Sequence, residues 1–136
     1  MKRLTYCTFL LLIFFAISCT SPQPKGNELF GTWSASDGGT VVLSPDGSLS
    51  ADSVPTAQFI GMYENPARFN GTGSWSVAEH NGRWCVDLKF TSLSFRSGSW
   101  MNSLIIDRRQ EGVVLFTWIS DEGGARYEMS PAPADL

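Results

Sequence analysis

Asn81-Gly82 stands between two runs that alternate polar with apolar residues, and this constrains the chain more than any other feature. Both residues of such a pair accept positive φ, which a tight turn between twisted antiparallel strands requires. Residues 74–77 are thereby paired with residues 84–90. The pattern repeats along the chain. Residues 40–43 meet residues 48–51 across Ser44-Pro45-Asp46-Gly47, where proline presets one φ and glycine tolerates a positive one. Residues 103–107 meet 113–119 across 108–112, and 113–119 meet 126–129 across a turn containing Asp121, Glu122, Gly123 and Gly124. Successive hairpins make an antiparallel meander, so the expected class is all-β, closing into a small barrel or curled sheet.

Alternation assigns the faces. Trp84, Val86, Leu88 and Phe90 share one side of their strand, with Cys85, Asp87 and Lys89 on the other. One buried and one wet face suits a barrel or sandwich wall. Residues 113–118 break the rule, being apolar on both sides except at Thr117. Such a strand is either covered on both faces or lies beside a ligand or partner. Two stretches lack alternation: residues 51–73, with a short helix expected at 56–63, and residues 91–102. Long irregular excursions in small domains are commonly functional or mobile.

The N-terminus carries a different signal. Lys2 and Arg3 precede an apolar run from residue 4 to residue 17, which ends at Ser18-Cys19. A basic start, a short apolar segment and a small residue at the cut describe an export signal. The run is shorter than the roughly 20 residues that span a bilayer. Ala16-Ile17-Ser18-Cys19 resembles the lipobox of bacterial lipoproteins, although alanine stands at position 16, where leucine is commoner. The resemblance implies cleavage before Cys19 and lipidation of its thiol, with palmitate-type acylation, and thus a membrane anchor. Thr20 rather than an aspartate follows, which in a Gram-negative cell resembles proteins sorted to the outer membrane. The expected organisation is a signal peptide at 1–18, a lipidated flexible tether at 19–28, a β domain at 29–130 and a tail at 131–136.

With Cys7 removed and Cys19 acylated, Cys85 stands alone and no internal disulfide is possible, although export permits them. Its place in a strand favours a packed small side chain over a reactive thiol. Of the 10 basic residues, Lys2 and Arg3 leave with the signal, so 8 face 13 acidic ones, a net charge of −5. No basic run exists, which argues against nucleic acid. A single histidine, His80, in a turn, supports neither a catalytic triad nor a zinc ligand set. Nucleophile elbows and phosphate-cradling loops are missing. Asp52 with Glu64, and Asp121 with Glu122, are carboxylate pairs with no supporting pattern. The expectation is a protein without catalytic residues, cofactor or metal.

The domain opens Leu29-Phe30-Gly31-Thr32-Trp33. This Gly-x-Trp resembles the first strand of lipocalins and wider calycins. In that family the tryptophan plugs one barrel end and an arginine of the last strand packs over it. The resemblance implies a structural signature of Gly31, Trp33 and Arg126. The chain is similar to small lipocalin-like bacterial lipoproteins in its Asp-Gly turn and in Gly71-Thr72-Gly73-Ser74-Trp75. It is shorter than a full lipocalin, and the family's other motifs are missing. The implied function is an envelope lipoprotein whose barrel holds a small apolar or amphipathic ligand. Phe59, Tyr63, Phe95, Arg96 and Trp100 are the expected mouth residues. The alternative is a lipoprotein that binds another envelope protein, as inhibitor, immunity or assembly factor, with no small ligand.

Overall fold

A computed structural model describes residues 22–61, 66–119 and 124–133. The eight strands are β1 (Gly31–Ser34), β2 (Thr40–Leu43), β3 (Ser48–Pro55), β4 (Arg68–His80), β5 (Arg83–Leu93), β6 (Trp100–Arg109), β7 (Gly112–Trp118) and β8 (Arg126–Pro131). Each pairs antiparallel with the next, and β8 returns to β1, so the meander closes into a barrel. Two short helices complete the fold: α1 (Gly26–Leu29) before β1 and α2 (Thr56–Ile60) between β3 and β4. The hairpin turns fall where the turn residues stand. Asn81 and Gly82 have φ of 52° and 77°, the two positive values of a type I′ turn.

The turns after β2, β4 and β6 and the start of β1 define one end, here the lower. The loops after β1, β3, β5 and β7 form the upper. Alternation sends Val86, Leu88 and Phe90 of β5 inward, and all three are fully buried. Leu104, Leu115 and Met129 join them from β6, β7 and β8. In β4 the inward positions are Phe69, Gly71, Gly73 and Trp75. Gly71 is small because Phe90 occupies the space beside it: a Cβ there would come 2.8 Å from that ring. Gly73 sits at a register shift between β4 and β5, against the Lys89 carbonyl. Trp75 turns its indole N–H to the Ser44 carbonyl at 2.9 Å and so holds the β2–β3 turn.

Trp33, 2% exposed, lies at the closing seam, where it pairs with Pro131. Its indole N–H donates to the Leu29 carbonyl at 2.9 Å, and Leu29 itself is fully buried. The seam is short. Trp33 and Ser34 face Pro131 and Ser130, and the Ala132 N–H then donates to the Thr32 carbonyl. The domain thus continues past residue 130, since Pro131 belongs to the strand that shuts the barrel. The tether boundary also moves. Pro24 is buried, residues 26–29 form α1, and Glu28 accepts a 2.7 Å hydrogen bond from Arg108 of β6. Residues 24–28 are therefore fastened to the barrel rather than free.

The expected Trp33–Arg126 contact is absent. Arg126 alternates with the inward Tyr127 and Met129, so it faces outward. Its guanidinium lies 4.2 Å from the Phe116 ring centroid and 4.9 Å from that of Trp118, and it pairs with Asp107 at 3.4 Å. A side chain on that parity cannot reach the axis, and the indole N–H is satisfied instead by the carbonyl of the buried Leu29.

Gly73→Ala tests the register. Its Cβ would fall 1.8 Å from the Lys89 oxygen, which is backbone and cannot swing aside. The variant is expected to lose roughly 2–3 kcal/mol or more of unfolding free energy, read from urea denaturation.

Candidate functional site

Of the residues expected at a barrel mouth, Phe59, Phe95, Arg96 and Trp100 lie toward the upper end, and Phe59 is buried within it. Phe59 on α2 is buried, meeting Phe69 edge-on at 6.4 Å and Tyr127 at 5.7 Å. Phe69 also meets Phe90 at 5.5 Å and Phe95 at 5.8 Å. Five aromatic rings thus interlock across the upper interior, each edge to face, the arrangement aromatic quadrupoles favour. Phe59 and Phe95 are brought together on Phe69 as core. Arg96 is exposed beside a bridge to Leu93, and Trp100 starts β6 opposite Phe90. Tyr63 and Cys19 lie outside the described residues, as do Glu64, Asp121 and Glu122.

A polar clasp closes this end. The Tyr127 hydroxyl donates to Asp37 Oδ1 at 2.8 Å, and Arg68 donates to Asp37 Oδ2 at 2.9 Å. Burial raises the Asp37 pKa, but hydrogen bonds from the Gly39 N–H, Tyr127 and Arg68 outweigh it and hold the carboxyl below its usual range. Burial, then the bond to Asp37 and its charge, push the Tyr127 phenol well above its usual value.

The outer wall divides into two halves. Over β3 and β4 it presents small polar groups: Ser48, Ser50, Asp52, Asn70, Thr72 and Ser74. Over β6 to β8 it is apolar and charged. Alternation points Ile105 of β6 and Val114, Phe116 and Trp118 of β7 outward. Phe116 is nonetheless only 2% exposed, covered by Arg126, and Trp118 meets it edge-on at 5.3 Å. This is the strand that the sequence marks as apolar on both faces. At its upper end Met101 is 66% exposed and Trp118 and Ile119 are each 40% exposed, whereas Trp100, opposite the inward Phe90, stands at the upper mouth. Nothing in the sequence joins residue 101 to 118 and 119; the signal available was the doubly apolar strand alone.

Below these side chains lies a cleft of about 500 Å3, lined by His80, Arg83, Cys85, Ser103, Ile105, Thr117 and Trp118, among others. His80 is not simply solvated, since its Nε2 lies 2.8 Å from Asp87 Oδ1 and Ser103 Oγ donates to the same oxygen at 2.6 Å. The carboxylate stands between the imidazole and the hydroxyl. The histidine therefore does not take up the serine proton, and this order does not activate a nucleophile. Cys85 forms part of the floor. Burial, then the charge of Asp87, push its thiol up. No group of three or more metal-ligating side chains occurs among the described residues.

Comparison of the chain with protein-family models, curated proteins and solved structures finds no match.

Two measurements check these environments. A phenol with raised folded pKa contributes stability that is complete below its unfolded value and is lost as pH rises through the folded one. The protein is expected to lose stability above about pH 10, near the unfolded tyrosine pKa, and Tyr127→Phe to flatten that decline. The same variant should cost about 1 kcal/mol at neutral pH. Cys85, with its thiolate disfavoured, is expected to react with an aromatic disulfide at pH 8 at least roughly tenfold more slowly folded than unfolded.

Proposed function

We propose that this chain is a lipid-anchored envelope protein that binds a partner protein on the outer wall of its barrel. The observation that carries the reading is where apolar surface lies. Phe59, Phe69, Phe90 and Tyr127 occupy the upper interior. Met101 of β6 and Trp118 of β7 point outward and stand exposed, with Ile119 just past the end of β7. An eight-stranded barrel has an interior just wide enough for its own side chains or one small ligand, and here aromatic side chains take the space. Large apolar groups clustered on a surface rimmed by charge mark an interaction site. Aromatic and methionine side chains are also the types enriched in the centres of protein interfaces.

The anchor rests on the export pattern and on Cys19. Pro22 and Pro24 line a second cleft, with Arg83, Asp107, Phe116 and Arg126. A lipid on Cys19 therefore keeps the barrel close to the membrane, since three residues from 19 to 22 span at most about 11 Å. Such a tether suits a protein that meets partners at the envelope. The reading assigns no catalytic role to any side chain, in keeping with the carboxylate-centred order of Ser103, Asp87 and His80.

Two substitutions separate anchor from surface. Cys19→Ala is expected to move the chain from the membrane to the soluble fraction, and unchanged fractionation would reject lipid anchoring. Met101→Lys is expected to change unfolding free energy by no more than about 0.5 kcal/mol, as for an exposed position. It should still reduce partner retention, measured by cross-linking in the native envelope, at least tenfold. A folded Met101→Lys chain that keeps every cross-link would place the partner elsewhere.

A further inference from the structure

The barrel wall is not continuous. The β6–β7 ladder runs from Arg109 and Gly112 up to Ile105 and Phe116, and stops there. Above that point β6 stays paired with β5, from Val86↔Leu104 to Phe90↔Trp100, and β7 stays paired with β8, from Leu115↔Met129 to Trp118↔Arg126. Had the ladder continued, Leu104 would face Thr117 and Ser103 would face Trp118. Instead both strands turn an unladdered side toward each other. Thr117 corroborates the opening. Alternation with Phe116 and Trp118 points it inward, yet it lines the external cleft together with Ser103 and Trp118. On the same stretch of β6, the Asn102 side-chain nitrogen is buried and has no hydrogen-bond partner.

An unpaired strand side offers a row of N–H and C=O groups to another chain. Proteins commonly bury such edges or guard them with charge. Here they are flanked by Met101, Trp118 and Ile119, which are exposed and apolar. The cleft volume of about 500 Å3 is within the range of built binding sites. Its lower margin carries Arg83, exposed and in no salt bridge among the described residues.

From these observations we infer that the split between β6 and β7 receives an extended segment of a partner polypeptide. Its backbone pairs with residues 101–104 or 117–119, its alternate apolar side chains lie against Met101 and Trp118, and a carboxylate near its lower end meets Arg83. The inference rests on the partner-binding reading above and names the kind of partner. Strand addition draws affinity from main-chain hydrogen bonds and specificity from alternate side chains. Both components are present at this split, where unladdered stretches of β6 and β7 lie beside the exposed Met101 and Trp118.

The test uses the full chain in detergent and a short synthetic peptide that alternates valine with threonine and ends in glutamate. A second peptide has the same side chains with alternate backbone nitrogens methylated, and a third ends in glutamine; all three are amidated at the C-terminus, so the glutamate side chain is the only carboxylate. The first peptide is expected to bind and to slow amide exchange at residues 101–104 and 117–119 at least tenfold. The methylated peptide should not bind. Arg83→Gln should weaken the glutamate-ended peptide several-fold and leave the glutamine-ended one unchanged. Equal binding of the methylated peptide would overturn strand addition and leave an apolar docking patch, so the partner-binding reading would survive. Binding that protects only amides away from the split would overturn the location. Binding of no peptide, with cross-links from position 101 to an envelope protein still formed, would overturn the strand inference alone. If those cross-links were also missing, both readings would fall.

Discussion

The indole of Trp33 holds together the three parts on which the barrel depends. It belongs to β1, one of the two shortest strands in the ring, and it stands where β1 meets β8. Its N–H is satisfied by the Leu29 carbonyl, so a large polar-tipped ring is buried without leaving its donor unpaired. The same bond fixes α1 beneath the lower opening. Pro131, which has no N–H to contribute to a ladder, ends the seam, and the Ala132 N–H takes over the pairing with Thr32. A closure of so few backbone pairs depends on side-chain burial for its strength, and Trp33, Leu29 and Met129 supply it. The docking of α1 also determines where the N-terminal segment leaves the domain, beside Arg83 and Arg126.

Closure at eight strands sets the interior volume, and aromatic side chains fill its upper part. The ring of Phe90 lies where Gly71 leaves room, Phe69 lies against Phe90, and Phe59 on α2 comes down onto Phe69 from the upper end. Each choice follows from the one before, because aromatic rings stacked edge to face leave little freedom in their neighbours. The polar clasp of Asp37, Arg68 and Tyr127 then ties the β1–β2 loop to β4 and β8 over the same end. With the axis occupied, the chemically distinctive surface is the outer wall of β6 to β8. There Arg126 stacks on Phe116 and Trp118 and shares Asp107 with Arg109. The wall of β3 and β4, by contrast, is lined with small hydroxyl, amide and carboxylate groups.

Much of the fold was legible because the turns are local. Asn81-Gly82 and Pro45-Asp46-Gly47 specify hairpins through their own φ preferences, and the β5 alternation specifies its buried face. The short helix expected at 56–63 is present at 56–60, ended by Gly61 at φ 77°. The partner contacts of the arginines were not legible. Arg126 fitted the family pattern by its place on the last strand, but its parity sends it outward. Arg108, which had no such pattern, is the arginine that reaches α1. The candidate surface was half visible. Residues 113–118 are apolar on both faces, which implied a cover or a partner, whereas Met101 lies on a different strand and belongs to the same surface only through the fold.

The sequence by itself determined the strand order, the antiparallel sense, the register-setting turns and the inward faces, because each depends on neighbours a few residues away. It also contains the apolar run of residues 4–17 and the Cys19 that ends it, a pattern legible without any tertiary structure. Tertiary structure alone decided that the meander closes, that α2 carries Phe59 into the barrel, and that the β6–β7 ladder ends at Ile105. These outcomes depend on how side-chain volumes far apart in the chain share one enclosed space. Local alternation says which way a side chain points, but not whether the space it points into is already filled.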